Sequence, residues 1–206
     1  MTLEEDETRG AWAEPDPDAR SQKPRKFLLL GNPGSGKVVK ARELARESRL
    51  WFTRDSARLY AFRVAGLPPL PSALEGHLRA PHHSVNALGM TGRLRGHMWR
   101  PGEIALAHGG TLLLDEAPEF RLDVLDAVWR AWMAGRIDLW SEQACNRLTI
   151  PTEFDLILSM NPCPCGWRGH SRQTCQCTDR QVARWFDRVA KLSEGAERIE
   201  LSQTLP

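Results

Sequence analysis

The sequence predicts an α/β fold with a largely parallel sheet. After residue 24, short apolar runs alternate with segments of helical periodicity, the pattern of strands joined by crossover helices. The chain has 206 residues, 41% hydrophobic and 26% charged, enough apolar material for one globular core. No apolar run approaches the ~20 residues that span a bilayer, so a membrane protein is excluded. The N-terminus is acidic and lacks a positively charged segment ahead of an apolar one, so the chain reads as cytoplasmic rather than secreted. The formal charge is +2, so any nucleic-acid contact must come from a local patch.

The elements follow in order. Residues 1–24 read as a disordered acidic tail. Glu4, Glu5, Asp6, Glu7, Glu14, Asp16 and Asp18 repel one another, and Pro15 and Pro17 forbid a regular helix. Phe27 to Leu30 is a buried strand stopped by Gly31, and Lys37 to about Arg49 is a helix. A helix is expected over Arg58 to Val64, ended by Gly66 and two prolines. Residues 66–103 are loop-rich. Thr111 to Asp115 is a second buried strand. Leu122, Leu125, Val128, Trp129 and Trp132 share one helical face, which predicts a helix over 121–134 with its tryptophans in the core. Ile137/Leu139 and Leu148/Ile150 form the arms of a hairpin. Asp155 to Met160 is a third core strand, 179–192 a helix, and Glu197 to Leu201 a short final strand.

Gly31 to Val38 reads GNPGSGKV, the spacing of a phosphate-binding Walker A loop. It follows an apolar strand and opens a helix, the two contexts the motif requires. Glycines let the backbone N–H groups curl inward, the helix N-terminus adds partial positive charge, and Lys37 adds a full one. Asn32, Pro33, Gly34, Ser35, Gly36, Lys37 and Val38 are therefore the candidate phosphate cradle. The alternative is a Gly-rich turn. The loop departs from the motif at Val38, where a Ser or Thr hydroxyl would ligate Mg²⁺ and a methyl group cannot.

Thr111-Leu-Leu-Leu-Asp115-Glu116 is an apolar strand ending in two acids, which are costly there without a cation or polar partner. Read as a Walker B motif, Asp115 holds Mg²⁺ and Glu116 polarises the attacking water. The alternative is a strand running out into an acidic turn. Further on, Cys163-Pro-Cys165 and Cys175-Gln-Cys177 form two close pairs on one irregular segment, which suits tetrahedral Zn²⁺. Disulfides and an iron–sulfur cluster are the alternatives. Zinc there would fold a segment too polar and too rich in Pro and Gly to fold by itself. Cys145 is isolated and reads as a small buried side chain. Arg79, His82, His83, Arg93, Arg95, His97 and Arg100 cluster with Trp99. Such a set suits single-stranded nucleic acid or an acidic partner surface, or else a solvated loop.

These residues together resemble the magnesium-chelatase-like AAA+ ATPases, in particular the bacterial branch associated with competence and DNA uptake. The resemblance runs from Phe27 to Leu201. Its most specific stretches are RAPHHS (79–84), RPGEIALAHGGTLLLDEAPEF (100–120) and SMNPCPCG (159–166). It implies a P-loop NTPase core with a five-stranded parallel sheet, hairpin inserts around 85–105 and 137–150, and subunits in rings with ATP at their interfaces. Asn161 stands at the family's sensor position. Glu197-Arg198-Ile199-Glu200-Leu201 resembles the family's Asp-Arg-Ile-Asp-Leu segment, which makes Arg198 the candidate arginine finger; the alternative is an exposed strand-edge charge.

This chain departs from the family pattern in several places. Trp140-Ser141 stands where Ser-Arg is usual, and Lys191-Leu-Ser-Glu194 replaces Gly-Pro-Leu-Leu. The core is expected over 25–206 without the family's helical lid, and the acidic tail stands where larger members carry an N-terminal domain. The resulting expectation is an ATPase using ATP and Mg²⁺, with structural Zn²⁺. It would act in a homo-oligomeric ring or with related subunits, on DNA or another macromolecule. A degenerate nucleotide-binding regulatory subunit is the second reading.

Overall fold

The computed structural model describes residues 23–48, 61, 63–65 and 78–201. The acidic tail, most of the helix expected over 58–64 and residues 66–77 lie outside the described residues; Ala61, Arg63 and Val64 are helical.

Among the described residues the main sheet has five parallel strands. They are β1 (Lys26–Gly31), β2 (Leu78–Arg79), β5 (Thr111–Leu114), β8 (Asp155–Met160) and β9 (Glu197–Leu201), in the spatial order β2-β5-β8-β1-β9. β8 lies between β5 and β1 and is buried at every position. The two faces of the sheet take alternate side chains, as the period of two demands. Phe27, Leu29, Leu113 and Ile157 pack on Ala41 and Leu44 of α1 (Lys37–Arg46). Leu28, Leu30, Leu112, Leu114, Leu156 and Leu158 pack on Val124, Leu125 and Val128 of α4 (Leu122–Ala134).

The rest of the chain clothes this sheet. α2 (Ala87–Thr91) leads into the hairpin β3 (Gly92–Arg95) and β4 (Met98–Pro101), and α3 (Glu103–Ala107) leads back to β5. A second hairpin, β6 (Arg136–Ser141) and β7 (Asn146–Pro151), follows α4. Both hairpins stand where the family resemblance places inserts. The first was hidden in the loop-rich reading of 66–103, because its strands are four residues long and carry three arginines. α5 (Asp179–Asp187) and α6 (Ala190–Ser193) precede β9. A single helix was expected over 179–192; Val189, at φ −112° and ψ 1°, breaks it in two.

Other expectations change in detail. Helix α1 ends at Arg46, with Glu47 as its cap, rather than near Arg49. Leu122, expected on the inner face of α4, is 60% exposed, and the face turns inward only from Val124. Trp129 and Trp132 pack at the core margin, each covered by an ammonium group. Lys191 Nζ lies 3.7 Å from the Trp129 ring centre and Lys26 Nζ 4.5 Å from that of Trp132. Cys145 is exposed in the β6–β7 turn at φ 44°, not buried. Turn geometry, not packing, sets its place.

The start of β8 is tied to the chain entering β1. Asp155, only 2% exposed, accepts hydrogen bonds from the Arg25 backbone N–H (2.7 Å), Nε (3.1 Å) and Nη2 (2.9 Å). Asp155→Ala leaves this backbone donor without its partner and removes a half-buried ion pair. A loss of about 2–3 kcal/mol is expected in a denaturant titration; a change below about 0.5 kcal/mol would contradict the account.

Candidate nucleotide site and four-cysteine centre

Three strand ends converge on one corner of the sheet. In an open α/β sheet this carboxyl edge is where ligands bind. β1 ends at Gly31 and passes into the loop 32–36, which opens α1 at Lys37. Gly34 (φ 77°) and Gly36 (φ 82°) adopt left-handed backbone that side chains disfavour. Both glycines are exposed, and a Cβ at either would meet nothing within 4 Å beyond its chain neighbours, so packing does not impose this conformation. The Ser35 hydroxyl is buried without a hydrogen-bond partner among the described residues.

Lys37 is only 8% exposed. Its Nζ donates to the carbonyls of Gly31 (2.8 Å) and Asn32 (3.0 Å) and to Asn161 Oδ1 (2.9 Å). Burial lowers the Lys37 pKa, and the charges of Asp115 and Glu116 act against that shift. Both acids follow the last residue of β5. The β5–β8 register sets Leu114 beside Leu158, which brings the next β8 residue, Ser159, to Asp115. The Ser159 hydroxyl donates to Asp115 Oδ1 and accepts the Glu116 N–H at 3.1 Å. Glu116 itself is held at φ 54°, ψ 50° and its carboxylate is exposed. Left-handed backbone costs a non-glycine residue on the order of 1–2 kcal/mol and is concentrated at functional sites.

Two further groups fix this corner. The Arg188 guanidinium donates from Nε to the Pro118 carbonyl and from Nη2 to the Phe120 carbonyl (2.7 Å), pinning the turn after the acids. Trp185 Nε1 donates to the Asn161 carbonyl at 2.9 Å. Sequence reasoning assigned no site role to Ser159, Arg188 or Trp185. The one signal available was Ser159 itself, a polar residue inside an otherwise apolar strand.

The four cysteines come together beside the loop. Cys163 Sγ lies 3.4 Å from Cys165 Sγ and 3.7 Å from Cys175 Sγ, and Cys165 Sγ lies 3.7 Å from Cys175 Sγ. All four sulfurs, Cys177 included, lie within 4.8 Å of one another. Tetrahedral Zn²⁺ with Zn–S bonds of about 2.3 Å sets its sulfurs about 3.8 Å apart, so the donor set fits that ion. The distances are far beyond the ~2.05 Å of a disulfide. The Arg168 N–H points at Cys163 Sγ (3.3 Å) and the Cys177 N–H at Cys175 Sγ (3.4 Å). The Cys165 pKa falls to about 6, chiefly through the Trp167 N–H. Cys177 is pushed up to about 12: the Cys165 N–H favours its thiolate but is outweighed by desolvation and by the thiols of Cys165 and Cys163. One thiolate forms easily there and the next resists, a conflict that a dication resolves. Directly after Cys177, Thr178 and Gln181 form a reciprocal capping box that starts α5.

Arg198 does not join this site. It lies on the edge strand β9 beside Leu28, three residues before Leu201, which pairs with Gly31 at the loop. That is about 10 Å back along the strand. Its guanidinium is exposed and meets Glu200 Oε1 at 2.9 Å. The basic cluster also divides. Arg79 is held by Glu103 (2.7 and 2.8 Å), while Arg93, Arg95, His97 and Arg100 are exposed on the first hairpin. Trp99 is 5% exposed, packed with Ala105, Leu106 and Ile150, so it is not a stacking platform.

Residues 24–206 match the family described as magnesium chelatase, subunit ChlI. The chain belongs to that family. Among curated relatives of this ChlI-type chain is the uncharacterized protein YifB of Escherichia coli, 33% identical over 87% of the chain and 34% of YifB. The competence protein ComM of Haemophilus influenzae is likewise 33% identical, over 87% of the chain and 34% of ComM. The ChlI-type chain thus spans about a third of the length of these relatives. Of solved structures, NtrX of Brucella abortus in complex with ATP superposes with a TM-score of 0.51 at 15% identity, over 88% of this chain and 33% of NtrX. The fold is that of an AAA+ P-loop NTPase, with the four-cysteine cluster beside its loop. No described helix is long and apolar enough to cross a membrane.

Proposed function

We propose that this chain is the core of a cytoplasmic, ring-forming AAA+ ATPase of magnesium-chelatase type, which hydrolyses ATP to remodel DNA or another macromolecule. The observation that carries the reading is the convergence of Lys37, Asn161, Asp115 and Glu116 at one sheet corner, beside a loop whose Gly34 and Gly36 hold left-handed backbone. The core spans 25–206, after an acidic tail.

The loop N–H groups and Lys37 receive the β- and γ-phosphates, and Lys37 exchanges its carbonyl partners for them. Mg²⁺, when bound, neutralises charge between those phosphates. Asp115 is its holder, oriented by Ser159. Glu116, projected by its left-handed backbone, accepts a proton from the attacking water. Asn161 links the γ-phosphate to α5 through Trp185. Arg198, exposed on the edge strand, serves a neighbouring subunit's nucleotide. The exposed arginines of the first hairpin suit a phosphate backbone.

Phosphate release that requires Mg²⁺ and vanishes in Glu116→Gln supports the reading; release no faster than in that variant contradicts hydrolysis. The second reading, a nucleotide-binding subunit that hydrolyses little, is favoured by one observation. Val38 offers no oxygen where the cation needs one. Val38→Thr restores that ligand at an exposed position (Val38 is 38% exposed). An increase of about tenfold or more in Mg²⁺-dependent turnover, about 1.4 kcal/mol or more off the barrier, is expected. Unchanged turnover would show that Val38 does not limit the site.

A further inference from the structure

The four-cysteine loop is built onto the phosphate loop, not merely near it. The Asn32 side chain donates from Nδ2 to the Gly166 carbonyl at 2.6 Å and to the Arg168 carbonyl at 3.3 Å. Gly166 presses on the Pro33 ring: a Cβ there would lie 2.8 Å from Cγ and 2.9 Å from Cδ, and its backbone sits at φ +84°. Only glycine meets both demands. The acceptors of Asn32 are framed by the cysteines. Gly166 follows Cys165 and donates its N–H to the Cys163 carbonyl at 2.9 Å, and the Arg168 N–H points at Cys163 Sγ. On the other side, Cys163 follows Asn161 by two residues, and Asn161 Oδ1 receives Lys37.

Between Met160 and Asp179 the chain has no helix or strand. Short turns, the sulfur cluster, the Arg168–Asp179 ion pair and the Trp185 bond to Asn161 hold it, and of these the sulfur cluster lies nearest Gly166 in the chain. What fixes the four sulfurs therefore helps to fix the two carbonyls that anchor Asn32, the first residue of the phosphate cradle. We propose that a thiophilic divalent cation, Zn²⁺ by its tetrathiolate donor set, is bound by Cys163, Cys165, Cys175 and Cys177 and tightens nucleotide binding through the Asn32–Gly166 contact. The inference rests on the nucleotide-binding reading and adds a coupling to it. Coupling free energies are reciprocal. Metal that strengthens nucleotide binding by some factor must itself be held more tightly, by the same factor, once nucleotide is bound. A metal that only holds a surface loop would show no such factor.

Two titrations on the full chain test this. In the first, ADP affinity is measured with one equivalent of Zn²⁺ and after its removal, with circular dichroism reporting the fold. In the second, a chromophoric chelator competes for Zn²⁺ on the metal-loaded protein, with and without saturating ADP. Each is expected to show a factor of about ten. Asn32→Ala removes only the side-chain donor and keeps the carbonyl that receives Lys37, and in it both factors should fall to near one while one Zn²⁺ per chain is retained. If the metal-free chain unfolds, ADP tightens Zn²⁺ binding through folding alone, and the comparison of the wild type with Asn32→Ala in the second titration then carries the test. Wild-type metal affinity indifferent to ADP, an undiminished factor in Asn32→Ala, or failure to bind Zn²⁺ overturns the inference alone. Absence of ADP binding at every metal load overturns both it and the proposed function.

Discussion

Lys37→Met should lower the affinity for ADP and ATP by about 100-fold or more. The substitution keeps the buried stem and removes the charge. In the nucleotide-free protein the ammonium group is already satisfied by Gly31, Asn32 and Asn161, so only the difference between those acceptors and phosphate oxygens counts. Neutral carbonyls exchanged for charged oxygens favour the bound state. Hydrogen bonds to charged groups are worth about 1.5–3 kcal/mol each; two of them to the β- and γ-phosphates give about 3–6 kcal/mol, and about 3–4 kcal/mol, two to three powers of ten in affinity, once the lost neutral acceptors are set against them. Burial works in the same direction, because the charge is poorly hydrated where it sits and gains more from an anion. Isothermal titration, with thermal unfolding as a control for stability, reads the effect. A fall of less than about fivefold would mean that the loop 31–37 is not the phosphate site.

Glu116→Gln should separate hydrolysis from binding. The amide is nearly isosteric and can keep the left-handed backbone and the N–H bond to Ser159, but it cannot take a proton. Loss of a positioned general base costs about 10²–10⁴ in rate. Single-turnover phosphate release should fall by at least a hundredfold, whereas nucleotide affinity should stay within about threefold. An equal loss of both would point to Glu116 as a binding or structural group instead.

Much of this site was legible because its signals are local in sequence. A strand followed by GNPGSGKV, three leucines followed by two acids, and two close cysteine pairs each declare themselves within ten or fifteen residues. The parallel sheet was legible for the same reason, since β1, β5 and β8 are short continuous apolar runs. What escaped depends on register and on distant contacts. Ser159 reaches Asp115 only because Leu114 and Leu158 are paired, and Asn32 meets Gly166 across 134 positions. Trp99 reads as an aromatic among cations, yet the fold of its hairpin turns it into a pocket lined by Ala105, Leu106 and Ile150. Arg188 reads as one of many arginines until its fork is seen to hold the Pro118 and Phe120 carbonyls.

The proposal of a ring with Arg198 acting across it draws its support from the position of β9 at the sheet edge and from the family. The nucleotide site precedes both. The decisive measurement is an equilibrium titration of the folded, zinc-loaded chain with ADP and ATP. Saturable uptake at one site per chain, with a dissociation constant below about 1 mM, is the predicted result. No uptake of either nucleotide at millimolar concentration would contradict the account.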